Sequence, residues 1–234
     1  MTKPKLIVLT GAGMSAESGI STFRDSGGIW EQHDIMEVAS PKGWQVNPGL
    51  VLNFYNQRRA QLNEVEPNAG HFKLAELEQD FEVQIITQNV DDLHERAGST
   101  NILHLHGELR KARSTADPTD IWVHKEDIKL GDTCRLGGQV RPHIVWFGEE
   151  VPMIQQAMID CGSAQVLVVI GTSMAVYPAA SLVHYVPADI PKFLIDPNKI
   201  EMPAINNLEI IEATATKGVA ILSEKLKQNF SNIK

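Results

Sequence analysis

The chain has 234 residues, 43% of them hydrophobic and 21% charged, which suits one large α/β domain or a main domain carrying a smaller insert. Its net charge of −8, with no basic run longer than Arg58-Arg59, excludes a nucleic-acid footprint and leaves only a weak attraction for basic partners. No stretch approaches a membrane span, and two cysteines, Cys134 and Cys161, cannot build a disulfide framework, so a reducing cytoplasm is the expected compartment.

The N-terminal apolar run is too short for a signal-peptide core and reads as a first strand, Lys5–Thr10 "KLIVLT". Directly after it comes Gly11-Ala12-Gly13-Met14-Ser15-Ala16, a Gly-x-Gly-x-x-Ala pattern. Gly11 permits a tight turn, Gly13 lets the backbone approach a pyrophosphate, and Ala16 allows a helix to pack close to the sheet. The amides of that helix's N-terminus would receive the anion. An ordinary strand-to-helix turn that binds nothing shows the same pattern. The second glycine cluster, Gly27-Gly28, predicts a flap. The carboxylate that a hydride-transfer site places about twenty residues past the loop has no equivalent.

Next, Trp30–Pro67 holds helix-like pieces broken by Pro41 and Pro48. Within it, "FYNQRR" sets Tyr55 and Arg58 three apart, on one face of a helix. Taken alone, a solvated helix surface is the plainer reading. Arg59 turns about 100° away and is expected at the surface. A helix over Gly70–Asp80 precedes strands at Val83–Thr87 and Asn101–Leu105. Glu108–Pro142 is charged, turn-rich and weakly periodic. Strands at Val166–Ile170, Lys192–Ile195 and Leu208–Ile211 follow, then a helix over Lys217–Asn229. Several strands are apolar on successive residues, as strands buried on both faces are. The alternation predicts an α/β fold: a doubly wound, Rossmann-like parallel sheet with a second, smaller inserted lobe. The large domain would comprise residues 1–30, 68–106 and 143–234, and the small lobe residues 31–67 and 107–142.

Five stretches carry a resemblance: "GAGMSAESGISTFR" (Gly11–Arg24), "TQNVDDLHERAG" (Thr87–Gly98), "HGE" (His106–Glu108), "RPHIVWFGE" (Arg141–Glu149) and "GTSMAVYPAA" (Gly171–Ala180). In this order, and over nearly the whole chain, they resemble the sirtuin family of NAD-dependent protein deacylases. The resemblance implies NAD as co-substrate and acyl-lysine proteins or peptides as partners, with nicotinamide, 2′-O-acyl-ADP-ribose and free lysine as products. Of the eight histidines, it implies His106 as general base, a task that imidazole's ordinary pKa suits. His104 stands outside the match and is expected to be structural. Asn89 and Asp91 would be catalytic, lining the nicotinamide and ribose pocket with Gln88 and Val90.

The same resemblance implies cofactor contacts at Gly11, Ala12, Gly13, Ser15, Ala16, Phe23, Arg24 and Trp30, with the Phe23 ring shielding the reacting centre. Gly171, Thr172 and Ser173 would meet phosphate and ribose, and Asp196, Pro197, Asn198 and Ala215 the adenosine end. Asp196 departs from the family's usual Asn, although a carboxylate can still accept from a ribose. Val145, Phe147, Gly148 and Glu149 would add the substrate peptide as a strand. "NFYNQRR" resembles the class that removes succinyl and malonyl groups: the Tyr55 phenol and the forked Arg58 cation suit a carboxylate. Deacetylation would be retained. An ADP-ribosyltransferase or NAD glycohydrolase on the same site is the alternative enzyme, and an NAD-binding sensor the non-enzymatic one.

Most sirtuins hold a structural zinc with two Cys-x-x-Cys pairs. Here Ser114 and Asp117 stand where the first is missing, and only Cys134 remains of the second, with Gly137 three residues on. One thiolate cannot close a four-cysteine site, so no zinc is expected. Trp122 and Leu136 would hold the lobe by packing, and Cys161 would be a small core residue.

Overall fold

The structure, a computed structural model, describes residues 2–20, 34–172, 179–198 and 205–230. Six apolar runs form one parallel sheet: β1 (Lys5–Thr10), β2 (Glu82–Thr87), β3 (Ile102–His104), β7 (Val166–Ile170), β8 (Lys192–Asp196) and β9 (Leu208–Glu212), in the order β3-β2-β1-β7-β8-β9. Successive side chains leave a strand on opposite faces. Leu6 and Val8 therefore join Val166 and Val168 in one core, while Ile7 and Leu9 join Leu167 and Val169 in another. Leu74 and Leu77 of α4 (Ala69–Leu77) and Val219, Leu222 and Leu226 of α7 (Ala215–Phe230) close the first face. Ala157 and Cys161 of α6 (Ile154–Gly162) pack on the second.

The strand order reverses between β1 and β7, which opens a crevice beyond their carboxyl ends. Two glycine loops interlock there. The Gly11 amide donates to the Ile170 carbonyl at 3.0 Å, and the Gly13 amide to that of Gly171 at 2.9 Å. A Cβ on Gly13 would lie 2.6 Å from the Gly171 Cα. Gly171 itself sits at φ +60°, where a Cβ would come within 2.5 Å of the Gly13 backbone.

The charged stretch after residue 106 is not irregular. It forms an antiparallel sheet from β4 (Gly107–Ser114), β5 (Ile121–Val123) and β6 (Val140–Ile144), with β4 in the centre. Helices α1 (Ile35–Val38), α2 (Pro41–Val46) and α3 (Pro48–Gln61) lie before the return to the large sheet, and the short α5 (Leu93–Arg96) follows β2. Pro41 and Pro48 start helices rather than breaking them. Each stands at the first helical position, and the Ser40 and Asn47 side chains cap by accepting from the Gly43 and Leu50 amides, both at 3.0 Å.

In the small lobe, Leu52 of α3 packs with Ala112, Ile128 and Val140, and Trp44, Trp122 and Cys134 cover that cluster. The packing expected of Trp122 is present; that of Leu136 is not, since Leu136 is 57% exposed. Arg59 is also corrected. It is 1% exposed, with Nε donating to the Leu109 carbonyl at 2.9 Å and Nη1 to Asn56 Oδ1 at 2.8 Å. The reason is that the solvent face of α3 here is the stripe Asn53, Gln57 and Ala60, and Arg59 lies off it. Val51, Phe54 and Tyr55 enter one cluster and Leu52 the other, so Arg59 lies between helix and β4.

Candidate active site

One cavity of about 600 Å³ runs along the crevice and under the small lobe. Gly11, Ala12, Gly13, Ser15 and Ala16 line it after β1, with Gly171 and Thr172 after β7. Asp196, Pro197, Asn198 and Ala215 close one end. Gln88, Asn89, Val90, Asp91 and His106 form the middle, and Tyr55, Arg58, Val145, Phe147, Gly148 and Glu149 the small-lobe wall. Phe23, Arg24, Trp30 and Ser173 lie outside the described residues. Sequence reasoning passed over Ile20, Ala39, Leu109 and Trp146, which supply apolar wall, and Glu17 and Thr214 near Ala215. Only Trp146 had a legible signal, its alternation with Phe147 in "HIVWFGE".

The middle of the cavity is fixed by the turn after β2. The Gln88 amide donates to the Thr10 carbonyl at 2.9 Å, and the Asn89 amide to Thr87 Oγ1 at 3.0 Å. The Asn89 side chain then donates to the Gly11 carbonyl at 3.0 Å and to Ser15 Oγ at 3.2 Å. Ser15 in turn donates to Asp91 Oδ2 at 2.9 Å, while Asp91 Oδ1 accepts from the Leu93 amide at 3.2 Å. Burial raises the Asp91 carboxyl above its usual range, and these two donors oppose the shift. Gln88 Nε2 donates to Thr172 Oγ1 at 3.1 Å, so the turn also clamps the β7 loop.

His106 has a defined tautomer. Its Nδ1 lies 3.1 Å from the Gln88 carbonyl oxygen, which can only accept, so Nδ1 carries the hydrogen and Nε2 the lone pair. Burial lowers its pKa from the ordinary value, with the Gln88 bond opposing. The ring is therefore a neutral proton acceptor at neutral pH. His104 differs: Nδ1 donates to the Asn89 carbonyl at 3.2 Å, and Nε2 lies 2.7 Å from Glu95 Oε1. It does not line the cavity.

Tyr55 is fully buried and Arg58 is 8% exposed. Burial pushes the Tyr55 phenol up, against the nearby Trp146 indole and Arg58. Burial also pulls the Arg58 guanidinium down, with Tyr55 and Asp91 opposing. An arginine remains a cation even so, and its charge is directed into a poorly solvated wall. Beside it, Glu149 accepts from Arg141 Nη1 at 2.8 Å, Arg113 Nη2 at 2.9 Å and the Trp146 amide at 2.8 Å. The Arg141 guanidinium lies 3.2 Å from the centroid of the Trp146 ring. The Glu149 carboxylate thus has its hydrogen-bonding capacity taken up by the protein, and it orients Trp146.

In the cysteine-poor lobe, Cys134 Sγ lies 3.0 Å from Ser114 Oγ, which accepts from the amides of Ala116 and Asp117 at 2.9 and 3.1 Å. A hydroxyl thus knots this turn beside the lobe's cysteine.

The fold and the cavity together define a doubly wound α/β protein whose switch-point cleft is roofed by a small second lobe. The profile of the Sir2 family matches residues 11–178, and the chain belongs to that family. It is 53% identical over 229 residues to the NAD-dependent protein deacylase of Bacteroides thetaiotaomicron, covering 95% of this chain and 96% of that protein. It is 54% identical over 221 residues to that of Helicobacter pylori strain J99, covering 94% of each. Among solved structures, a Sir2 homologue in complex with NAD superposes with a TM-score of 0.87 at 36% identity, over 97% of this chain and 91% of that one. A Sir2 mutant with deacetylated p53 peptide and 3′-O-acetyl-ADP-ribose gives 0.76 at 26% identity, over 97% and 94%.

Proposed function

We propose that the cleft takes NAD and an acyl-lysine peptide, and that its acyl pocket favours succinyl and malonyl groups while still admitting acetyl. The protein is an NAD-dependent protein deacylase. The residues fit the dinucleotide. Side-chain-free loops at Gly11, Gly13 and Gly171 leave backbone at the crevice, with the Ser15 and Thr172 hydroxyls beside it. Asp196 at the far end offers a carboxylate to ribose hydroxyls. The cavity volume lies within the range of ordinary ligand sites.

When bound, NAD supplies an anomeric carbon from which nicotinamide can leave, so that the acyl oxygen of the lysine can be captured. The chain's own residues then do three things. Asn89 and Asp91, braced through Ser15, hold the ribose side of the site and fix its polarity. His106 takes a ribose hydroxyl proton at Nε2, because Gln88 has committed Nδ1. Ile20, Leu109 and Trp146 keep water from the reacting centre. Tyr55 and Arg58 receive the acyl carboxylate at the tunnel wall, while Val145, Phe147 and Gly148 pair with the peptide backbone. Glu149 serves the peptide indirectly, by holding Arg141 against Trp146.

The observation that carries this reading is the neutral, tautomer-fixed His106 in the same cavity as the glycine loops and the buried Arg58. His106→Ala is expected to lower deacylation by about 10²–10⁴-fold while leaving the circular dichroism spectrum unchanged. Full activity in that variant removes the assigned base. Nicotinamide release that needs no acyl-lysine peptide would instead indicate glycohydrolase chemistry.

A further inference from the structure

Among the described residues, Glu95, His104 and Glu108 form a group of His, Cys, Asp and Glu side chains whose ligand atoms all lie within 4.8 Å of one another. They come from three elements: Glu95 from α5, His104 from the end of β3 and Glu108 from β4. None of them lines the NAD cleft. We propose that this trio is a divalent-cation site, with zinc-like ions as the best-suited class, on the outer side of the catalytic turn. The proposal is independent of the deacylase reading, and it does not involve the thiol of Cys134.

Three features favour ligation over a plain ion pair. First, the His104 side chain is only 9% exposed, and its Nδ1–H is committed to the Asn89 carbonyl. A backbone carbonyl on the second ring nitrogen is the partner that metal-ligating histidines use to fix their tautomer. It aims Nε2 at the carboxylates.

Second, the cluster sets two carboxylates against one imidazole. The ammonium of Lys111, 2.5 Å from Glu108 Oε2, offsets one of them, and the proton held between His104 Nε2 and Glu95 offsets the other. A dication supplies the charge of both at one point. Third, the donors can close to coordination distance. Glu95 is 40% exposed and Glu108 about a quarter, so both can rotate toward the roughly 2.0–2.2 Å metal distances that nitrogen and oxygen donors need. One imidazole with two carboxylates selects zinc-like ions over Mg²⁺, and three protein ligands leave a position for water.

Without metal, Nε2 shares its proton with Glu95. Binding therefore replaces that proton, which passes to solvent while the nitrogen lone pair goes to the ion. The bound ion would also brace the Asn89 carbonyl, on the same turn that carries Gln88 and Asp91.

Calorimetric titration of the full chain with zinc chloride, in two buffers of different ionisation enthalpy, tests this. We expect one zinc per chain with net proton release, persisting in the presence of saturating ADP-ribose. Affinity should fall at least roughly tenfold in His104→Gln and in Glu108→Gln. Glu108→Gln alters a surface side chain and keeps the test valid if His104→Gln folds poorly. Lys111→Ala, which removes the competing cation, should tighten binding, and Cys134→Ser should leave it unchanged. Zinc affinity untouched in His104→Gln and Glu108→Gln, or lost in Cys134→Ser, overturns the site. Non-saturable uptake, an adventitious ion only, overturns it equally.

Discussion

His104 and His106 stand two residues apart and titrate in opposite directions. Burial depresses His106, while Glu95 holds His104 above its ordinary value despite burial. A neutral base is competent and a protonated one is not, so activity is lost as pH falls through the His106 pKa. The acidic limb of the kcat/KM profile is therefore expected below pH 6.5, the ordinary imidazole value. A limb at or above that value, in wild-type protein, contradicts the assignment of the burial-depressed ring as base. Much of this scale was legible in the chain. His106 was separable from His104 because only one stands in "HGE". The fate of Arg59 was not legible: helical geometry turns it away from Arg58, but nothing local says that a second apolar cluster waits on that side.

At the scale of elements, apolar runs announced the parallel strands because both faces of the large sheet are covered. The strand ends at Thr87 and Ile170 fell where the runs end. The antiparallel sheet was hidden. Its central strand, "GELRKARS", alternates buried and half-exposed positions except at the adjacent pair Arg110-Lys111, and Glu108, Arg110, Lys111 and Arg113 fill the half-exposed ones. The interlocked turns after β1 and β7 show how a residue without a side chain builds the site. Alanine at Gly171 must adopt φ +60° and push its Cβ into the Gly13 backbone. Gly171→Ala is expected to destabilise the fold by about 1–3 kcal/mol and to weaken ADP-ribose binding. Urea unfolding and calorimetry check this; wild-type stability with wild-type affinity would show that the two loops do not need their close approach.

At the scale of the whole molecule, stability is tied to buried neutral imidazoles. His71 and His94 stack edge to face at 4.8 Å, and burial pulls His71 down to about 4 and His94 well below its ordinary value. His143 is likewise held at about 4 by burial. In the unfolded chain these rings protonate near 6.5, whereas in the fold they do so only well below it, near 4 for His71 and His143. The unfolded state therefore binds more protons between those values, and stability is complete above pH 6.5 and falls toward pH 4. His71 alone contributes ~3 kcal/mol to this loss. His104, raised instead, acts in the opposite sense but is a single ring against four, His106 included. The urea midpoint is expected to drop markedly from pH 7 to pH 5, and less so in His71→Gln; a midpoint that stays flat refutes this account of acid sensitivity.

The central claim joins both ends of the cleft: one imidazole that takes a proton, and one buried cation that selects the acyl group. Its most direct test is a matched measurement of kcat/KM on succinyl-lysine and acetyl-lysine versions of one peptide, in wild type and Arg58→Met. A charge-assisted contact of this kind is worth about 1.5–3 kcal/mol, so succinyl turnover should fall roughly ten- to a hundredfold while acetyl turnover largely persists. Equal loss on both peptides, or no loss on either, would contradict it.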